Sequence, residues 1–137
     1  AQHLVAELVN KLNFDRPMLD ALALTVNTSV MTAIANDSSY DNVFARQIES
    51  LVNKNDIVVG ISTSGNSANV IKGLLKAKEK GVTTVGMTGA TGGKMKDIVN
   101  LLINVPSETT QRIQEAHILI GHIVCGIIEE ELFGKNK

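Results

Sequence analysis

The chain has 137 residues, of which 44% are hydrophobic, and its formal net charge at pH 7 is −1. This length is typical of one domain with a sizeable core, and a net charge near zero disfavours nucleic acid as the main ligand. The single cysteine, Cys125, excludes a disulfide framework and predicts a reducing, cytoplasmic setting, and no apolar run approaches the roughly 20 residues of a membrane span.

The chain opens on the amphipathic helix AQHLVAELVNKL, residues 1–12. No capping residue precedes this helix, so we expect an N-terminal portion of the domain to be missing. Short apolar runs then alternate with stretches of helical period. We predict strands over residues 21–26, 56–61, 82–88 and 101–105, and helices over residues 28–35, 42–52, 67–80, 94–99 and 109–132. Gly81 is expected to stop the helix before it.

Strands joined by helices predict an α/β fold with a doubly wound parallel sheet, a three-layer sandwich that binds ligands at the carboxyl ends of its strands. Thr88-Gly89 and Pro106-Ser107 follow the third and fourth predicted strands, so that rim should be rich in small polar residues. No internal repeat or linker is visible, and we therefore expect residues 1–137 to form a single domain.

The segment GISTSGNSANV, residues 60–70, leads from an apolar strand into small polar residues just before a helix. The hydroxyls of Ser62, Thr63, Ser64 and Ser67, with the first backbone N–H groups of that helix, would suit a phosphate. A plain turn followed by an N-cap serine is the alternative. The spacing matches neither a P-loop nor a dinucleotide fingerprint, so a phosphosugar is favoured over a nucleotide.

His3 and Glu7 are four residues apart and share a helical face, which suits a metal or a substrate but also a simple surface hydrogen bond. His122 lies in the apolar run ILIGHIVCGII and should have a polar partner, for which a backbone carbonyl is the simplest candidate. Gln114 precedes it by eight residues, about 12 Å along a helix and about 80° around it. Glu115 shares the face of His122 more closely and is a rival partner.

The segments AQHLVAEL, IAND, GISTSGNSANVI, TGATGGKM and RIQEAHILIGH together resemble the phosphoheptose isomerase (sedoheptulose 7-phosphate isomerase) family of the sugar isomerase (SIS) domain superfamily. The resemblance runs through essentially the whole chain, and ISTSGNSANV and RIQE are its most specific parts. Relatives carry N-terminal helices and a first strand with a further phosphate loop, so the resemblance implies that this chain is N-terminally incomplete.

The resemblance implies a cytoplasmic homotetramer with active sites between subunits. Such an enzyme converts sedoheptulose 7-phosphate to glycero-manno-heptose 7-phosphate for the lipopolysaccharide core. It further implies three sets of site residues. Phosphate would be held by Ser62, Thr63, Ser64 and Ser67; substrate by Asn36, Asp37 and Gln114; and a divalent metal, typically zinc, by His3, Glu7, Gln114 and His122. Glu7 and His122 would be the catalytic pair.

A ketose–aldose exchange moves a proton between adjacent carbons through an enediol, and it needs a base, an acid and a polarised carbonyl. Glu7 fits the base, His122 fits a proton shuttle between oxygens, and zinc would polarise the carbonyl. A metal on Glu7 would oppose its basicity, so we favour the catalytic role of Glu7 over its role as a ligand.

Two other functions stay open. SIS folds also serve as phosphosugar-sensing or replication-initiator-associating proteins without catalysis, and other phosphosugar or aminosugar-phosphate isomerases share the phosphate loop. Three further features have simple interpretations. TGATGG is expected to be a plain loop and not a second anion site, His117 to be structural or at a subunit contact, and the run Glu129 to Glu131 to be a solvated helix end.

Overall fold

The structure is a computed structural model that describes residues 1–134. The last three residues of the predicted domain, 135–137, lie outside the described part. The helices are α1 (Gln2–Val9), α2 (Thr28–Asp37), α3 (Val43–Leu51), α4 (Ala68–Glu79) and α5 (Thr110–Phe133), and the strands are β1 (Ile57–Ile61), β2 (Thr83–Thr88) and β3 (Leu101–Asn104). Two 3₁₀ turns cover Tyr40–Asn42 and Gly93–Asp97. None of the described helices is long and apolar enough to cross a membrane.

The three strands form one parallel sheet in the order β1-β2-β3. Val59 of β1 lies opposite Val85 of β2, which in turn lies opposite Leu101 of β3. Helix α4 packs on β1 and β2 and against α3. Leu74 of α4 and Ile48 of α3 are almost completely buried. The predicted α/β class and parallel sheet are confirmed.

The chain divides into two compact units. One contains residues 27–114, and therefore the sheet with α2, α3, α4 and the first turn of α5. The other contains residues 1–26 and 115–134, and therefore α1 and most of α5. Its buried residues include Cys125, a free thiol as the sequence predicts.

The predicted strand over residues 21–26 is wrong. The backbone N–H of Val26 donates to the carbonyl of Ala23 over 3.3 Å, which closes a turn. Leu22 and Val26 are more than half exposed, and only Ala23 of this trio is buried. The segment is apolar enough for a strand, but it pairs with no strand among residues 1–134, and an extended backbone needs such a partner.

Helix and strand limits otherwise agree with the sequence to within one or two residues, except that α1 ends at Val9, three residues before the end of the predicted helix over residues 1–12, and that one element changes type. The predicted helix over residues 94–99 is the 3₁₀ turn Gly93–Asp97, preceded by Gly92 in the left-handed region. Such short segments favour 3₁₀ geometry. Gly81 has φ +74° directly after α4, as expected of a residue that stops a helix.

Candidate active site

The loop between β1 and α4 brings three serine hydroxyls together. Oγ of Ser62 lies 2.9 Å from Oγ of Ser67 and 3.5 Å from Oγ of Ser64. Ser62 is buried, whereas Ser64 is exposed. Ser67 is the N-cap of α4, so the predicted helix start is confirmed. The hydroxyls therefore converge where the first N–H groups of a helix lack intrahelical partners.

The loop after β2 braces this serine loop. The Asn66 amide spans the two loops, because its Nδ2 donates to the Ser64 carbonyl over 3.0 Å and its Oδ1 accepts from the Lys94 N–H over 3.0 Å. The Gly65 carbonyl accepts from the N–H of Met95 over 3.1 Å. Gly65 has φ +64°, and a Cβ there would lie 2.1 Å from the carbonyl oxygen of Gly92. Only glycine fits this crossing.

A cavity of about 280 Å³ opens at the carboxyl ends of all three strands. Its walls include Thr63 and Ser64 after β1, Gly89 after β2, and Ser107 and Glu108 after β3. The rim is polar and rich in small side chains, as the sequence predicts from the residues that directly follow each strand. This is the edge at which open parallel α/β sheets bind ligands.

A second group of polar side chains forms between α1 and α5. Nε2 of His3 lies 2.8 Å from Nε2 of His122 and 3.2 Å from Oε1 of Glu7. The two imidazole rings meet edge to face, with centroids 5.0 Å apart. The structure thus gives His122 a second histidine as a partner, where the sequence alone favoured a backbone carbonyl. We call His3, Glu7 and His122 the histidine cluster.

Gly121 lets α1 come this close to α5. A Cβ on Gly121 would lie 2.5 Å from Cδ2 of Leu4, so the leucine occupies the space that a side chain would need. Leu4 follows His3 and Gly121 precedes His122, and the close approach of the first pair therefore brings the two imidazoles together. The HxxxE spacing of α1 then adds the Glu7 carboxylate on the same face.

The histidine cluster fits a divalent metal. One ligand atom from each of the three residues lies within 4.8 Å of the others. Two imidazole nitrogens and one carboxylate oxygen form a donor set used by catalytic zinc sites, which keep a further position open for water or substrate. His3 is exposed and the other two are half-buried, so a ligand has access to the group.

The other predicted site residues lie elsewhere in the chain. Asn36 and Asp37 end α2, are exposed, and are joined by a 2.9 Å hydrogen bond from Nδ2 of Asn36 to Oδ1 of Asp37. Gln114 is exposed and belongs to the unit of residues 27–114, whereas the histidine cluster belongs to the other unit. His117 is buried in α5, which agrees with the expected structural role.

The model of the SIS domain matches residues 1–89. The phosphoheptose isomerase of Sulfurimonas denitrificans is 56% identical over 134 residues, which cover 98% of this chain and 69% of that protein. Phosphoheptose isomerase 2 of Campylobacter jejuni is 53% identical, over 99% of this chain and 68% of that protein. The chain belongs to the phosphoheptose isomerase family of SIS domains.

Solved structures of this family share the fold. A phosphoheptose isomerase from Francisella tularensis superimposes with a TM-score of 0.91 at 35% identity, over 95% of this chain and 70% of its own. One from Neisseria gonorrhoeae gives a TM-score of 0.88 at 44% identity, over 95% of this chain and 69% of its own. The predicted SIS fold is therefore confirmed.

Sequence reasoning missed a buried ion pair beside the histidine cluster. Glu129, predicted to be solvated, is completely buried, and its Oε1 lies 3.1 Å from Nε of Arg16. Burial by itself raises the pKa of Glu129. Hydrogen bonds from the N–H groups of Leu12 and Asn13 and from Arg16 outweigh burial and hold that pKa below its ordinary value. Glu130 and Glu131 are exposed, as predicted.

A signal for Glu129 is present in the sequence. The buried positions of α5 recur every fourth residue, at Ile113, His117, Gly121, Cys125 and Glu129. This spacing keeps side chains on one helical face. Glu129 lies on this face four residues after Cys125, which distinguishes it from its two acidic neighbours.

Proposed function

We propose that this chain is an aldose–ketose isomerase that converts D-sedoheptulose 7-phosphate to D-glycero-D-manno-heptose 7-phosphate. The observation that carries the proposal is that Glu7, a base, and His122, a proton shuttle, both contact His3 and have ligand atoms within 4.8 Å of each other, in a chain 56% identical to a phosphoheptose isomerase. We further propose that the product serves ADP-heptose and lipopolysaccharide core synthesis in the cytoplasm.

The serine loop would hold the 7-phosphate. Ser62, Ser64 and Ser67 offer converging hydroxyl donors, and Thr63 lines the neighbouring cavity. Hydrogen bonds from hydroxyls and from a helix N-terminus suffice for a phosphate without a basic residue. Asn36, Asp37 and Gln114 would contact the sugar, an assignment that rests on the family resemblance.

Proton transfer would begin at Glu7. Its carboxylate takes a proton from the carbon beside the ketose carbonyl and returns it to the former carbonyl carbon, with an enediol between the two steps. His122 carries a proton between the two oxygens, so that one oxygen gains the proton that the other loses. His3 holds His122 in place through the 2.8 Å contact between their Nε2 atoms.

His3, Glu7 and His122, with Gln114 as a fourth ligand, would hold a divalent metal, which we propose to be zinc. When bound, zinc supplies a Lewis acid that polarises the carbonyl and stabilises the enediolate. The nitrogen and carboxylate donors of the histidine cluster support this choice.

We also propose a homotetramer. Leu119, Ile123 and Ile127 of α5 are between 51% and 59% exposed and recur every fourth residue, so they form an apolar row on one helical face. An exposed apolar row of this kind marks an interaction surface. Light scattering tests the assembly, and a monomer at micromolar concentration would contradict it.

The test of function is turnover of sedoheptulose 7-phosphate by the protein and by its Glu7→Gln and His122→Gln variants. The matched control is Glu131→Gln, which removes an exposed carboxylate from α5. We expect turnover to collapse in the two site variants, to persist in the control, and to fall with a chelator and return with zinc. A folded protein that binds phosphosugars without turnover would favour the sensing function instead. Six-carbon ketose phosphates as rival substrates distinguish other isomerases.

A further inference from the structure

Arg16 and Glu129 form a buried ion pair that the proposed chemistry does not use. Their side chains are 2% and 0% exposed, respectively. Both carboxylate oxygens have partners, because Oε1 accepts from the Leu12 N–H over 3.0 Å as well as from Arg16, and Oε2 accepts from the Asn13 N–H over 2.8 Å. A buried ion pair contributes little net stability over apolar packing of similar volume.

Arg16 holds the end of α1. The last carbonyls of a helix lack intrahelical partners. Here Nη2 of Arg16 donates to the carbonyl of Glu7 over 2.8 Å, and Nη1 donates to the carbonyl of Leu8 over 2.7 Å. A cation at this end also interacts favourably with the helix dipole. Glu7, whose carboxylate belongs to the histidine cluster, is therefore held in place through its backbone carbonyl.

Glu129 links Arg16 to α5, the helix that carries His122. Glu129 and His122 are seven positions apart on α5, which places them on nearly the same face, about 10.5 Å apart along the axis. Helix α1 and the segment that follows it are thus bound to α5 at two points. His3 contacts His122 at one, and the segment after α1 is bound by Glu129 at the other.

We propose that Arg16 and Glu129 are positioning residues for the isomerase site, which fix the last turn of α1 so that the Glu7 carboxylate faces His3 and His122. The proposal deepens the proposed function and rests on it for its kinetic consequence. Partners that orient metal-binding or catalytic side chains from behind typically change affinity or activity by about 10- to 100-fold when removed.

The test compares Glu129→Gln and Arg16→Lys with the Glu131→Gln control. Glu129→Gln keeps the shape but removes the charge, and Arg16→Lys keeps the charge but loses the fork that reaches both carbonyls. We expect both to lower kcat by about 10- to 100-fold with KM changed less than about threefold, and to weaken Co²⁺ binding with an altered visible spectrum. Wild-type kcat and Co²⁺ spectra in folded variants would overturn the proposal.

A third readout separates this proposal from the proposed function. In the metal-free protein, the ¹⁵N resonances of the His3 and His122 imidazoles report their contact without substrate or metal. We expect them to shift in Glu129→Gln and Arg16→Lys but not in Glu131→Gln, even if the wild type shows no turnover. Unshifted resonances in the folded variants would overturn positioning. If Glu129→Gln does not fold, Arg16→Lys decides the outcome.

Discussion

Nε2 of His3 lies 2.8 Å from Nε2 of His122, although 119 positions separate the two residues in the chain. In an imidazole pair this close, one ring donates and the other accepts, in roles set by their tautomers. The Glu7 carboxylate, 3.2 Å from His3, supplies the negative charge that complements a cation at this point. Several measurable properties depend on this arrangement.

Gly121→Ala should separate the two imidazoles, because the new Cβ would lie 2.5 Å from Cδ2 of Leu4. We expect a cost of about 1–3 kcal/mol in the free energy of unfolding and a weaker metal site. Gly126→Ala is the control on the same helix, since its Cβ would meet nothing closer than 3.5 Å. Urea unfolding measures the stability of both variants, and equal free energies of unfolding would contradict the close approach of α1 to α5.

Ser62→Ala should weaken phosphate binding. Its hydroxyl lies 2.9 Å from that of Ser67 and would donate to the phosphate, and hydrogen bonds to charged groups contribute about 1.5–3 kcal/mol. We expect inorganic phosphate to inhibit about 10- to 100-fold more weakly, measured by titration. Ser50→Ala, at an exposed serine of α3, is the control and should match the wild type. Unchanged inhibition in Ser62→Ala would indicate that the phosphate binds outside this loop.

Gly65→Ala should disturb the same loop through its backbone. Both Gly65 and Gly81 have positive φ, where an alanine costs about 1–2 kcal/mol. Only Gly65 also faces a carbonyl, that of Gly92, whereas a Cβ on Gly81 would meet nothing within 4 Å. We therefore expect Gly65→Ala to be the more destabilising in thermal unfolding and the only one to weaken phosphate inhibition. Identical effects would mean that the two loops can separate freely.

Acid should remove the contribution of Glu129 to stability. Its pKa in the folded protein lies below the ordinary value, so the contribution is fully present above the unfolded pKa of about 4.3 and is lost as pH falls through the folded pKa. The slope is at most about 1.4 kcal/mol per pH unit for one proton. Melting curves from pH 7 to pH 3 should converge for the wild type and Glu129→Gln. Curves for Glu131→Gln should stay parallel to the wild type, and a constant gap for Glu129→Gln would contradict the lowered pKa.

The sheet of residues 57–104 could be predicted because its strands are nearly continuous apolar runs, each followed by a helix or a short turn. The same rule failed for residues 21–26, since an apolar run carries no information about whether a pairing strand exists. The serine loop could be singled out from its residue types and its place between a strand and a helix, whereas the joining of His3 and Glu7 with His122 followed from the family resemblance. The contacts within both groups followed only from the structure. Glu129 was missed because the three consecutive glutamates look alike until the helix turns one of them toward Arg16.

The long separation of His3 and His122 gives a bound metal a second effect. An ion held by both would act as a reversible cross-link that closes a loop of most of the chain, and closing a long loop removes conformational entropy from the unfolded state. Ion capture would then be inseparable from completion of the fold, because a fragment without α1 keeps only His122 of the histidine cluster, and one without α5 keeps only His3 and Glu7.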